Sequence, residues 1–184
     1  VQPKKPTKLI PEKENDLCTI HFGNLSIFKL FINEIAQNDV IQNICFAAKN
    51  NYKSIIYYYF EEIIKHEENV SNSIKQILEA SLQRKDANSF DNILQNICSL
   101  KISEKVDYDY LLQKGINYTN FEAIKEITNI ILKDNPNFDF SDQFTKGASL
   151  GLNEVCQYFI DKKVTIKYNS LVEDCKKYGL LNKN

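Results

Sequence analysis

Few side chains in this sequence could do chemistry. His21 and His66 are its two histidines, so any imidazole acid, base or metal ligand is one of them. Cys18-x-x-His21 has the spacing of half a zinc site, but a closed structural site takes four ligands and no second Cys or His pair follows at a suitable distance. Glu67 and Glu68 follow His66 without the His-Glu-x-x-His spacing of a zinc hydrolase, and the stretch reads as the polar end of a helix. A Cys-His nucleophile pair could nominate any of Cys18, Cys45, Cys98, Cys156 and Cys175, and nothing in their spacing selects one. Cys45 and Cys156 read better as small core residues. Glu61-Glu62 and Glu67-Glu68 are sequence neighbours that point in different directions around a helix, a solvated face rather than a matched acid and base. The run Tyr57-Tyr58-Tyr59-Phe60 lacks flanking basic residues, so a base-stacking role has no electrostatic support. The expectation is therefore no catalytic residue, no metal ligand and no cofactor.

Composition narrows the class. Within 184 residues the chain has 23 basic and 24 acidic side chains, a formal charge of -1, and 43% hydrophobic residues, as a folded globular protein does. Arg84 is the sole arginine, which removes the planar forks that read phosphate and guanine, and nucleic acid is not an expected partner. No apolar window is long enough to span a bilayer, so membrane insertion is not expected either. An odd number of scattered cysteines points to thiols in a reducing compartment, the cytoplasm, or a host cytosol if the source is an intracellular pathogen. The chain starts at Val1 and has no methionine, which fits either an excised piece of a longer protein or a sequence from which methionines have been lost.

The elements follow from periodicity. Residues 1–13 hold Pro3, Pro6 and Pro11 among four lysines and read as an extended basic arm or linker. From residue 14 to 184 apolar residues recur at three and four, the spacing of helices, and helices are expected in pairs, a short one before a longer one. The first apolar anchor of each short helix falls at Leu17, Ile44, Ile77, Tyr110, Phe144 and Leu171, at intervals of 27, 33, 33, 34 and 27. Small residues follow at a fixed offset: Ala47-Ala48, Ala80-Ser81 and Gly147-Ala148. Small side chains there let two helices approach closely.

These residues resemble ankyrin repeats, whose period is roughly 33. The clearest copy is Asp142 to Val155, with its glycine turn at Gly151, and a second is Gln42 to Phe60 with Asn51 in the glycine position. His21-Phe22-Gly23-Asn24-Leu25 and Asn169 to Leu180 look like a first and a last unit, so the likeness spans about 17 to 182. No copy has the family's Thr-Pro-Leu-His, and Arg84 and Asn117 stand where glycine is expected. The resemblance implies an all-α solenoid of about five to six degenerate helix pairs that binds another protein, as a monomer, through its concave tips and short helices. Transferred residue by residue, the contacts are Lys49, Asn50, Gln83, Tyr108, Phe138, Phe140, Ser149 and Tyr168, and Leu82 and Leu150 share the short-helix positions. For Phe138 and Phe140 the alternative is that they fold back onto the helices beneath them. Other readings are a structural segment that orients or caps a neighbouring domain and, more remotely, a cryptic Cys/His-dependent enzyme.

Overall fold

The computed structural model describes residues 23–32, 37–66, 69–84, 87–100 and 106–167. These residues are almost entirely helical: α1 (Leu25–Phe31), α2 (Gln37–Asn50), α3 (Lys53–Tyr58, continuing to His66), α4 (Val70–Leu82), α5 (Ala87–Ser99), α6 (Tyr108–Asn117), α7 (Phe121–Asp134), α8 (Ser141–Ser149) and α9 (Asn153–Asp161). The expectations for Leu17, Cys18, His21, Tyr168, Leu171, Cys175 and residues 1–13 lie outside the described residues.

Local chemistry sets the helix starts. Asn24, Asn69, Asp107 and Asn120 each stand before a helix and accept a backbone N–H of its first turn, satisfying donors that have no partner inside the helix. Helix ends recur too. At Asn51, Thr119 and Gly151 the chain turns through positive φ, and the next N–H reaches back five residues: Tyr52 to Ala47, Asn120 to Gly115 and Leu152 to Gly147. This closure satisfies the last carbonyls of a helix and needs a left-handed residue, for which glycine and asparagine are suited and a β-branched threonine is not. The carbonyl-bearing residue is small because the following helix crosses there. A Cβ on Gly115 would lie 3.3 Å from Ile124 Cγ1 and one on Gly147 3.4 Å from Cys156 Sγ.

That turn gives the true register. Counted back from Ala47, Gly115 and Gly147, and from Ala80 by the Arg84 N to Ser81 carbonyl bond that matches Asn51 to Ala48 and Thr119 to Ile116, the equivalent anchors are Ile44, Leu112, Phe144 and Ile77, all fully buried. The third anchor is thus Leu112, not Tyr110, and the left-handed turn residue is Thr119, not Asn117. Tyr110 lies two positions earlier and is only half-buried. Helix lengths also depart from the short-then-long expectation: α2 and α4 have 14 and 13 residues, as long as the helices that follow them.

The helices form two rows. α2, α4, α6 and α8 each pack on the next, as do α1, α3, α5, α7 and α9, and each first-row helix also packs on the second-row helix that follows it. One apolar core runs between the rows, from Phe28 through Ile77 and Ile127 to Phe159. Polar seams cross from pair to pair. Buried Ser89 Oγ donates to the Ala48 carbonyl at 2.5 Å, and buried Asn120 donates through Nδ2 to the carbonyls of Leu82 (3.2 Å) and Arg84 (2.5 Å).

α3 is irregular for a readable reason. Its apolar residues fall in doublets four apart, Ile55-Ile56, Tyr59-Phe60 and Ile63-Ile64, whereas an α-helix turns every 3.6 residues and would carry such rows around the axis. A wider π turn at Tyr59–Ile63 cancels the drift and keeps the doublets facing the core, before a 3₁₀ turn at Ile64–His66 ends the helix.

Candidate partner-binding face

With the register set, the outward residues of the first-row helices fall into columns spaced i, i+4, i+8, the rows of one helix face. α4 presents Lys75, Glu79 and Gln83; α6 presents Tyr110, Lys114 and Tyr118; α8 presents Asp142, Lys146 and Leu150. Neighbouring helices bring these columns together. Glu79 receives the Tyr110 hydroxyl on Oε2, and on Oε1 the Lys114 ammonium at 2.6 Å and the Tyr118 hydroxyl at 3.2 Å. Lys75 Nζ sits 3.6 Å above the centre of the Tyr110 ring, a cation–π contact.

Electrostatics follows from this geometry. Burial raises the Glu79 carboxyl, but hydrogen bonds from Lys114 and Tyr110 outweigh it, and the net result lies below the usual carboxylate range. The hydrogen bond to Glu79 holds Lys114 firmly protonated. Burial, reinforced by donation to Glu79, raises the Tyr110 phenol. Nearby Cys45 is pushed up to about 12 by burial and then by the Glu79 charge, so its thiol stays protonated at neutral pH, the opposite of a nucleophilic cysteine. Cys156 is buried, with its Sγ donating to the Phe144 carbonyl at 3.8 Å, and Cys98 is exposed. Among the described residues no three His, Cys, Asp or Glu side chains are grouped as a metal site requires, and no helix is long and apolar enough to cross a membrane.

The contact residues expected from sequence divide. Lys49, Gln83 and Ser149 are exposed on the first-row face, and half-buried Asn50 lies beside them with Nδ2 donating to the Phe46 carbonyl at 2.9 Å. Tyr108 packs against the core with its ring half-covered, and burial raises its phenol. Phe140 does not face outward: it is fully buried, 5.5 Å from the Phe159 ring, with half-buried Phe138 edge-on to it at 4.8 Å. The fold-back alternative therefore holds for Phe140, because the tip turns inward. Phe140 N donates to the Thr165 carbonyl at 2.9 Å, Asp139 pairs with Lys167 at 2.8 Å, and Ser141 Oγ accepts the Lys167 N–H at 2.8 Å. Leu82, a short-helix surface position by the repeat likeness, is also fully buried. Sequence reading misses Lys75, Glu79, Lys114 and Tyr118. Their signal is the i, i+4 spacing on the polar side of α4 and α6, which becomes a cluster once the register between the two helices is known.

Set against known proteins, the chain matches no family model, no curated protein and no solved structure.

Proposed function

We propose that this chain is an ankyrin-like stack of helix pairs that binds a partner protein across the exposed face of its first-row helices. The single observation that carries this reading is the Glu79 cluster: four side chains from two successive helix pairs, held in fixed positions on the polar face of the first row. Ordered tyrosines and lysines lose little freedom on binding, which favours their use as recognition groups. Lys49, Gln83, Lys146 and Ser149 extend the face along the stack, and Leu150, 46% exposed, gives it an apolar edge. Phe140 has no part in it.

The test is site-specific photo-crosslinking in extract of the source cell. A benzoylphenylalanine at exposed Gln83 or Lys146 on this face is expected to capture a discrete partner, while one at exposed Lys133 on the second row is not. Capture from Lys133 alone would reverse the assignment. Capture from neither position would remove it.

A further inference from the structure

The second row carries a different surface. Between α1 and the outer side of α3 runs an open groove of about 860 Å³. Its lining includes one of the most exposed large apolar side chains in the described residues, Tyr57 at 57%, and α1 carries another, Leu30 at 72%. The π turn that keeps the α3 doublets facing the core also straightens the outer rows. Lys53, Tyr57 and Glu61 form one line along the groove and Ser54, Tyr58 and Glu62 a second. Tyr58 is fixed on both sides, edge-on to Phe28 at 6.3 Å and under the Lys29 ammonium at 4.4 Å.

Charge order along the first line selects the occupant. It runs positive, aromatic, negative, with Tyr57 four residues from each charged end. A two-fold axis through Tyr57 reverses the line onto itself. Lys53 of one copy then faces Glu61 of the other, Glu61 faces Lys53, and the two Tyr57 rings meet at the centre. Such self-complementarity is what an isologous dimer requires, and an unrelated partner has no need of it.

We infer that this groove is the contact surface of a homodimer in which α3 of one copy lies antiparallel to α3 of the other. The monomer implied by the repeat likeness is then the dilute form. The surface is on the second row, so it leaves the first-row face open and stands independently of the function proposed above.

Charge exchange tests the inference. Sedimentation equilibrium of the whole chain from about 1 to 200 μM, a span that brackets a micromolar constant, is expected to show a monomer–dimer equilibrium. Lys53→Glu and Glu61→Lys each place like charges opposite and are expected to weaken dimerisation at least tenfold. Mixed in equal amounts, the two variants are expected to form a heterodimer. The new acid at position 53 of one chain then meets the new base at position 61 of the other, and the unaltered Lys53 and Glu61 meet at the second contact. A native chain that stays monomeric throughout overturns the inference, including the case in which another part of the same chain fills the groove. So does a dimer indifferent to both substitutions, or two weakened variants that do not recover on mixing. Lys53 and Glu61 lie on the outer rows of α3, and an unchanged circular dichroism spectrum separates lost association from lost folding.

Discussion

Asn120 offers the sharpest test of how one helix pair holds the next. It is fully buried, and its amide does two jobs: Oδ1 caps α7 by accepting the Ala123 N–H at 3.1 Å, while Nδ2 donates to the carbonyls of Leu82 and Arg84 in the preceding pair. Asn120→Ala removes a cap, about 1 kcal/mol, and leaves the buried Leu82 and part-buried Arg84 carbonyls without that donor, at about 1 kcal/mol or more between them. The expected loss is about 2 to 4 kcal/mol in urea denaturation at pH 7. Asn24 is the control, because it caps α1 in the exposed setting and among the described residues donates to no other pair; Asn24→Ala should cost about 1 kcal/mol. Asn120→Asp separates the two jobs further. Aspartate keeps the capping acceptor but turns a carboxylate toward two carbonyls, so its carboxyl is raised above the unfolded value near 3.9. A raised acid is destabilising where it must ionise, so this variant is expected to lose stability as pH rises above about 4 and to regain it below. If Asn120→Ala costs no more than Asn24→Ala, or Asn120→Asp shows no such pH dependence, the amide does not bind the pairs together.

Three further outcomes are expected. Thr119 holds φ 55° with a branched side chain, so Thr119→Gly should raise stability by about 0.5 to 1 kcal/mol in thermal unfolding, and a loss would show that the threonine is held by more than its turn. Phe140→Ser should cost about 3 to 5 kcal/mol, as for emptying an aromatic core site, and half-buried Phe138→Ser should cost clearly less; equal costs in chemical denaturation would place both rings alike. The Asp139 carboxyl, lowered to about 2 chiefly by Lys167 and then by Ser141, should titrate there by NMR and return toward the ordinary range in Lys167→Ala. Because this carboxyl is lowered, its contribution to stability is full above about 4 and fades as pH falls toward 2.

The helices are legible because apolar spacing dictates them, and three of the four anchors are legible because small residues follow at a fixed step: Ile44 before Ala47, Ile77 before Ala80, Phe144 before Gly147. The third escapes because Tyr110 is large and lies 33 residues from Ile77, whereas the step to a small residue runs from Leu112 to Gly115. That error of two positions also hides the Glu79 cluster, since Lys114 aligns with Glu79 only in the correct register. Phe140 shows a different limit. From sequence a phenylalanine between helices can face a partner or the core, and the choice rests on Thr165 and Lys167, residues a helix away that draw the loop inward. The groove on the second row is invisible for a third reason: the four-residue spacing in α3 does not announce a π turn.

Among the described residues, the side-chain hydrogen bonds between pairs share one sense, while the loop bond from Phe140 N to the Thr165 carbonyl runs the other way. Ser89 gives to Ala48, Asn120 to Leu82 and Arg84, Tyr110, Lys114 and Tyr118 to Glu79, Gln143 to Asp109, and Tyr158 to Lys125. In each case the donor belongs to the later pair and the acceptor to the earlier one. Translation delivers the earlier pair first. What waits at its open edge is therefore a set of oxygens, which water solvates until the next pair is made. In its side-chain seams the stack is vectorial: a finished layer is a template that presents acceptors, and the ribosome supplies the donors in order.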